Sequence, residues 1–169
     1  MGVVMNIAYY HASRFGNGAR VAEEFRRIMA GRGVPVSVQH VRDANPKHLS
    51  PANLYIFSSP GRFGKPKGTA RRFLRKVSLR PGTEYAILTT QSAPKPNPKS
   101  GERPAQQDVD RWERVIPIMN EELASKGLRQ IAASAVLVTG IKGPLEEGWQ
   151  QKVLAFADDI TSALHIQTG

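Results

Sequence analysis

VVMNIAYYHASRFGNG, at residues 3–18, is the stretch of sequence that decides the fold. Its first half, residues 3–10, is a continuous apolar run, as expected for a strand that is covered on both faces of a sheet. Behind its second half, apolar residues recur at helical spacing: Val21, Phe25, Ile28 and Met29. The stretch predicts a buried strand, a turn and an amphipathic helix that ends near Gly31 and Gly33.

The rest of the chain repeats this alternation of strand and helix. Four further strands are predicted at residues 34–38, 53–57, 84–90 and 132–139. The strand at 34–38 alternates valine with polar residues and contains a proline, which favours the edge of a sheet. Five strands separated by helices predict an α/β domain with a mostly parallel five-stranded sheet. With the first strand inside and the second at an edge, the order is 2-1-3-4-5, that of the flavodoxin-like three-layer sandwich.

Three helical patterns connect and follow the later strands. The first is short and has one apolar face: Ala70, Phe73, Leu74 and Val77. The second is predicted as one helix with a kink at Pro117, and its apolar face consists of Val109, Trp112, Val115, Ile116, Met119 and Leu123. The face of the last helix consists of Trp149, Val153, Phe156, Ile160 and Leu164. The polar, proline-rich segment at residues 91–107 is interpreted as either a functional loop or a partly disordered one.

Composition narrows the class of protein. The chain has 169 residues, no cysteine and four scattered histidines. We therefore expect one domain at residues 1–169, no disulfide and no metal site. No apolar stretch approaches the ~18 residues of a membrane span, and the N-terminus has no signal-peptide pattern. We therefore expect a cytoplasmic protein without a transmembrane segment.

The net charge of +10 is distributed unevenly along the chain. No carboxylate occurs between Asp43 and Glu84, whereas nine basic residues lie there: Lys47, Arg62, Lys65, Lys67, Arg71, Arg72, Arg75, Lys76 and Arg80. Such a patch favours nucleic acid, an anionic membrane surface, an acidic protein or a phosphorylated ligand. A solvated basic face that keeps the protein soluble is the alternative interpretation.

Three loops follow strands whose carboxyl ends meet at one edge of the predicted sheet. Their sequences are HASRFGNG, SSPGRFGKPKG and TTQSAPKPNPKSG. The first leads into a helix N-terminus, where free N–H groups and the helix dipole favour an anion. Its serine, arginine and glycines therefore favour a phosphate site, and the alternative interpretation is that the glycines serve only the turn from strand to helix. Neither the P-loop of nucleoside triphosphatases nor the dinucleotide fingerprint is present.

Three segments of the chain resemble those of a known family. YYHASRFGNGARVAEEF, at residues 9–25, resembles the first strand, phosphate loop and first helix of flavodoxin-like proteins. LYIFSSPGRFGKPKGTARRFL, at 54–74, is similar to their third strand and second flavin loop, and GIKGPLEEGWQQKVLAFADDI, at 140–160, is similar to their final stretch. The branch that it most resembles is the flavodoxin-domain group that includes the menaquinone-dependent protoporphyrinogen oxidases.

The resemblance implies that the protein binds FMN. The phosphate would be surrounded by the first loop: Ser13, Arg14, Phe15, Gly16, Asn17 and Gly18. The second loop would line the isoalloxazine ring, through Ser59, Pro60, Gly61, Arg62, Phe63 and Gly64. The other side of the ring would be closed by Thr89, Thr90 and Gln91. Two interpretations of Phe63 stay open, namely aromatic contact with the ring and an anchor of the loop in the core.

The chain departs from the family in three respects. Gly18 stands where the family usually has threonine or serine, the third loop has no tyrosine or tryptophan to stack on the flavin, and the surface is basic rather than acidic. The resemblance implies an FMN-dependent enzyme or redox protein that exchanges electrons with a quinone, a porphyrinogen-type substrate or a protein partner with an acidic surface. No nucleophile–base arrangement is visible, so we predict no catalytic side chain. The alternative is a basic binding module on the same fold that has lost the flavin and binds nucleic acid or an acidic protein.

Overall fold

A sheet of five parallel strands forms the centre of the fold. The structure is a computed structural model that describes residues 5–165. The strands are β1 (Ile7–His11), β2 (Val36–His40), β3 (Leu54–Phe57), β6 (Glu84–Ser92) and β7 (Arg129–Val138). A small antiparallel hairpin, β4 (Gly61–Arg62) and β5 (Lys65–Pro66), follows β3. The sheet order is β2-β1-β3-β6-β7, with every neighbouring pair parallel, and it confirms the predicted order 2-1-3-4-5.

Helices cover both faces of the sheet and complete a three-layer sandwich. On one face lie α1 (Asn17–Gly31) and α5 (Trp149–Ala163), and on the other lie α2 (Gly68–Lys76) and α4 (Val115–Ala124). Successive residues of β1 contribute to opposite layers, because side chains alternate along a strand. Tyr9 packs against Phe25 of α1, whereas Tyr10 packs against Phe73 of α2.

The burial of β1 and β2 follows the prediction from their sequences. All five residues of β1 are buried, whereas β2 alternates between buried or half-buried and exposed positions. The continuous apolar strand is therefore internal and the alternating strand lies at the edge, as predicted. Residues 3 and 4 of the predicted first strand lie outside the described residues, and β1 extends one residue past the predicted end, to His11.

The prediction of one kinked helix between residues 109 and 123 is wrong. The structure has two helices there, α3 (Gln106–Trp112) and α4, separated by Glu113 and Arg114. The chain breaks because the Arg114 N–H donates to the carbonyl of Gly64 (2.7 Å) instead of to a carbonyl of the preceding turn. Pro117 lies in the first turn of α4, where its missing N–H has no helical partner to lose.

The split also changes which residues are buried. No residue of α3 is buried, and Trp112, predicted on the apolar face, is 53% exposed. Val115, Met119 and Leu123 of α4 do pack under the sheet, as predicted. The apolar pattern was therefore correct for the second half of the segment and wrong for the first.

The segment predicted as a long polar loop is shortened at both ends, because β6 continues to Ser92 and α3 begins at Gln106. Residues 93–105 between them are largely exposed and hydrogen-bonded among themselves. Asn97 organises their turn, since its N–H donates to the Glu102 carbonyl (2.8 Å) and its side chain accepts from the Lys99 N–H (2.8 Å). These hydrogen bonds close a turn within the segment.

Candidate functional site

A cavity of about 1350 Å³ lies beyond the carboxyl ends of the central strands. Its walls come from the loops after β1, β3 and β6, from the junction of α3 and α4, and from the segment after β7. The topology places it there, because a parallel sheet opens a crevice where neighbouring strands send their connections in opposite directions. Eleven of the fifteen residues predicted for the site line this cavity: Ser13, Arg14, Phe15, Asn17, Gly18, Pro60, Gly61, Arg62, Phe63, Thr90 and Gln91.

The first loop lies at the N-terminus of α1. Gly16, which does not line the cavity, precedes the helix with a φ of +92°, a conformation that suits glycine. Its N–H donates to Ser13 Oγ (3.1 Å), and no side chain caps the N–H groups of the first turn. That turn also contains no acidic residue. The uncapped N–H groups and the helix dipole therefore favour an anion at this end of the cavity.

The side chain of Ser13 lies close to position 18. A Cβ atom there would lie 3.2 Å from Ser13 Cβ, closer than ordinary van der Waals contact. A side chain at position 18 would therefore require Ser13 to shift by a few tenths of an ångström. In this loop, Ser13 contributes a hydroxyl group beside Gly18.

Positive charge accumulates around the same loop. Burial lowers the pKa of Lys67, and the nearby guanidinium groups of Arg14 and Arg42 lower it further. Lys67 Nζ donates to the carbonyl of Ala12 (3.4 Å). Within residues 5–165, none of these three cations forms an ion pair with a carboxylate. An anionic ligand would relieve the repulsion among them.

The second loop forms the β4–β5 hairpin. Its two-residue turn, Phe63 and Gly64, has φ values of +51° and +72°, the pattern of a type I′ turn. Phenylalanine is strained in this conformation, yet its ring is 77% exposed and faces the cavity. The interpretation of Phe63 as a core anchor is therefore wrong.

Two predicted residues of the second loop support the wall from behind. Ser59 is fully buried, and its Oγ accepts from the Lys67 N–H (2.9 Å) and donates to the Pro60 carbonyl (2.9 Å). Gly64 packs under the α3–α4 junction, where an added Cβ atom would lie only 2.0 Å from the carbonyl oxygen of Trp112. Neither residue lines the cavity.

The third predicted segment is the end of β6. Thr90 and Gln91 line the cavity, whereas Thr89 is fully buried and does not. Gln91 Nε2 donates to Thr89 Oγ1 (3.1 Å), and the Thr90 N–H donates to the Ser59 carbonyl (3.3 Å). The ends of β3 and β6 are thus joined to each other directly below the cavity.

Sequence reasoning missed the contribution of the α3–α4 junction. Trp112, Glu113 and Arg114 all line the cavity. Burial raises the pKa of the Glu113 carboxyl, which accepts a hydrogen bond from the Val115 N–H (3.4 Å). The polar composition of the segment QQDVDRW at 106–112 was the available signal, because a helix with so few apolar residues has little to bury.

Exposed apolar side chains concentrate at the mouth of the cavity. Of the five large hydrophobic residues exposed among residues 5–165, four line it: Phe15, Phe63, Trp112 and Ile141. The ring centroid of Phe15 also lies close to two cations, 5.1 Å from the guanidinium carbon of Arg14 and 5.8 Å from Lys142 Nζ. An apolar surface of this kind at a cavity mouth is typical of a binding site.

The described residues also limit other kinds of site. No helix within residues 5–165 is long and apolar enough to cross a membrane. In the same part of the chain, no group of three or more histidine, aspartate or glutamate side chains is arranged to hold a metal ion.

Comparisons with known proteins bear on the fold. No family model and no curated protein matches the sequence. Among solved structures, oxidised flavodoxins 2 and 1 from Bacillus cereus superpose with TM-scores of 0.69 and 0.68 at 14% and 15% identity. Each comparison covers 93% of this chain and 98% or 97% of the flavodoxin.

A larger protein contains the same architecture. The rubredoxin oxygen:oxidoreductase of Desulfovibrio gigas superposes with a TM-score of 0.68 at 16% identity over 95% of this chain. The comparison covers 36% of that protein, so this chain corresponds to about a third of its length. Together with the sheet order, these likenesses establish that the chain has a flavodoxin-like fold.

Proposed function

We propose that the cavity binds FMN and that the protein transfers electrons through it. The observation that carries the proposal is the contrast between the two ends of one cavity. One end has an uncapped helix N-terminus beside Arg14 and Lys67, and the other presents Phe63 and Trp112. A ligand with a phosphate group at one end and a flat aromatic ring at the other fits both.

Some side chains would bind the ligand, and others would determine which charge state of the ligand is favoured. Ser13, Arg14 and the first N–H groups of α1 would bind the phosphate, while Pro60, Phe63 and Trp112 would contact the ring. When bound, FMN supplies reversible electron transfer. Arg62 adds positive charge to the cavity wall, which favours the ligand in a more negatively charged, reduced form. Arg114 also lines the cavity, but Glu121 lies 3.9 Å from it and partly neutralises its charge.

The size of the cavity supports a second ligand beside FMN. Pockets for a single small molecule usually measure about 300–1,000 Å³, and this one is about 1350 Å³. The apolar mouth, with Phe63, Trp112 and Ile141, suits a flat apolar substrate such as a quinone or a porphyrinogen-type compound. These are also the substrates that the resemblance to the menaquinone-dependent protoporphyrinogen oxidases implies.

A protein partner would meet a basic surface beside the cavity. Arg72, Arg75 and Lys76 are exposed on α2, which follows the second loop directly. Arg75 is partly neutralised by Glu122 (3.2 Å), so the surface is less positive than the sequence alone indicates. We propose that a protein redox partner would be acidic where it contacts this face.

Flavin titration tests the proposal. Purified protein mixed with FMN is expected to give a saturable, stoichiometric change in flavin absorbance and fluorescence, and weaker binding of riboflavin, which lacks the phosphate. A protein that takes up neither flavin would contradict it. Salt-sensitive binding of an oligonucleotide by that flavin-free protein would instead support the alternative of a basic nucleic-acid-binding module.

A further inference from the structure

Two histidines lie beside the phosphate end of the cavity, the end formed by Ser13, Arg14 and the N-terminus of α1 that would bind the phosphate. His11 and His40 are the last residues of β1 and β2 and lie opposite each other in the parallel register. Their side chains therefore share one face of the sheet, and the ring centroids lie 5.2 Å apart at an interplanar angle of 74°. His11 is buried, and His40 is half-buried on the edge strand.

Both backbone polar groups of Ser13 are bound by these two rings. The Ser13 N–H donates to His11 Nδ1 (3.2 Å), and the Ser13 carbonyl lies 3.0 Å from His40 Nε2. The chain has left the sheet at this point, so no neighbouring strand is available to pair with these groups. The two side chains replace the strand partner that Ser13 would otherwise need.

The hydrogen bonds fix the proton positions on both rings. His11 accepts at Nδ1, so in its neutral form it carries the proton on Nε2. His40 accepts at Nδ1 from the Arg42 N–H (3.1 Å), so its Nε2 carries the proton and donates to the Ser13 carbonyl. Together, the two rings and the backbone of Ser13 form a clamp. The clamp requires the Nε2–H tautomer of both histidines.

The clamp continues into the phosphate loop. Ser13 Oγ accepts from the N–H of Gly16, the residue that precedes α1. A continuous set of hydrogen bonds therefore runs from the two histidines through Ser13 to the start of the helix. The position of Ser13 determines where its hydroxyl and the first N–H groups of α1 face the cavity.

Surrounding groups keep His11 neutral. Burial lowers the pKa of His11 most and the cation of Arg42 lowers it further, while Asp43 acts against them, which leaves the pKa at about 4. A neutral ring can accept the hydrogen bond of Ser13, whereas a protonated ring cannot. The acceptor at Nδ1 is therefore present at neutral pH.

We infer that His11 and His40 are positioning residues that hold Ser13 in place and thereby set the preference of the cavity for a phosphorylated over an unphosphorylated flavin. The inference rests on the proposed binding of FMN. Neither histidine lines the cavity, so each acts through Ser13 rather than by touching the ligand.

Exchanges with asparagine and glutamine test the clamp at each position separately. The amide of asparagine reaches about as far as Nδ1 of histidine, and that of glutamine about as far as Nε2. His11→Asn keeps an acceptor for the Ser13 N–H, and His40→Gln keeps a donor for the Ser13 carbonyl. His11→Gln and His40→Asn lose these contacts. The two positions should therefore respond in opposite ways to the same pair of substitutions.

The measured quantity is the ratio of the FMN and riboflavin dissociation constants. We expect His11→Asn and His40→Gln to keep the wild-type ratio. His11→Gln and His40→Asn should reduce the preference for FMN about threefold to tenfold, as expected for one hydrogen bond, with riboflavin affinity unchanged. The inference is overturned if the affinities for FMN and riboflavin fall by the same factor. It is also overturned if all four variants give the same ratio.

A second measurement does not depend on the flavin. The ¹⁵N chemical shifts of the histidine rings in the flavin-free protein should show the Nε2–H tautomer for both His11 and His40 at neutral pH. A proton on Nδ1 of His11 would overturn the clamp. If a His11 variant fails to fold, the two variants of the half-buried His40 still decide. Wild-type protein that binds no FMN would refute the proposed function itself, whereas FMN binding without the opposite responses refutes only the clamp.

Discussion

The two ends of the cavity are built in opposite ways. At the phosphate end, Ser13 is held by hydrogen bonds to one buried and one half-buried histidine ring and to the Gly16 N–H at the start of α1. At the aromatic end, formed by the β4–β5 hairpin and the α3–α4 junction, Phe63 and Trp112 are largely exposed. The guanidinium carbon of Arg62 lies 5.6 Å from the Phe63 ring centroid, and a backbone hydrogen bond from Arg114 to Gly64 joins the two segments. We propose that the first end binds a small charged group and that a ligand covers the exposed apolar surface of the second.

The largest expected effect comes from breaking the support under the aromatic end. Gly64→Ala would place a Cβ atom 2.0 Å from the Trp112 carbonyl oxygen at a φ of +72°. We expect a loss of more than about 4 kcal/mol in the free energy of unfolding, because the backbone of the α3–α4 junction must move. Denaturant unfolding measures it.

Gly101→Ala is the matched control for that substitution. Gly101 has the same φ of +72°, but nothing lies within 4 Å of its Cβ position. The Gly101→Ala variant should lose only about 1 kcal/mol in the free energy of unfolding, the cost of the left-handed conformation. Equal losses in the two variants would show that the close approach of Gly64 to Trp112 contributes nothing.

The stability of the protein should fall in acid because of His11 beside the phosphate end. The pKa of His11 is lowered from its ordinary 6.5 to about 4, so between these pH values the unfolded chain binds a proton that the folded chain does not. Stability should therefore fall as the pH drops through this window, by up to about 3 kcal/mol, and the loss should level off below it. Urea unfolding from pH 7 to pH 4 measures the slope.

His11→Asn should flatten that slope, since asparagine does not titrate. His48→Asn, at an exposed histidine away from the cavity, should leave the slope close to that of the wild type. A wild-type slope that persists in His11→Asn would assign the acid sensitivity to other groups.

Phe63→Asn is expected to separate stability from binding at the aromatic end. Asparagine tolerates a positive φ better than phenylalanine, and the exposed ring gives up little burial, so we expect a gain of about 1 kcal/mol in stability. Flavin affinity should fall at the same time. A gain in stability with unchanged affinity for both flavins would show that Phe63 does not contact the flavin.

Trp112→Ala should have the smallest effect on stability. The side chain is 53% exposed in a helix without buried residues, so the loss should stay below about 1 kcal/mol. FMN and riboflavin affinity should decrease by the same factor, because Trp112 lies away from the phosphate end. Isothermal titration with both flavins checks this, and a selective loss of FMN affinity would contradict the division of the cavity into two ends.

The sequence allowed the sheet order and the position of the cavity to be predicted, because both follow from local patterns. A continuous apolar run marks β1 as internal, and alternation marks β2 as an edge strand. Once the order is known, the loops after β1, β3 and β6 must meet at one edge. The proposal of a phosphate end rests on that placement and on the glycines at a helix start.

The remaining features depend on contacts between residues far apart in the sequence. Helical periodicity runs through residues 109–123, and the break at Arg114 arises from its hydrogen bond to Gly64, fifty positions earlier in the chain. Likewise, the pairing of His11 with His40 depends on strand register, which no single-strand pattern reveals. These are the features that placed Trp112 in the cavity wall and the two histidines beneath Ser13.

The close approach of positions 13 and 18 has a consequence for substitutions of Gly18. A Cβ atom at position 18 would lie 3.2 Å from Ser13 Cβ, so Ser13 would have to shift by a few tenths of an ångström. That shift would move the hydroxyl group that accepts a hydrogen bond from the Gly16 N–H. Gly18→Ser is therefore expected to alter the start of α1 as well as to add a hydroxyl group to the loop.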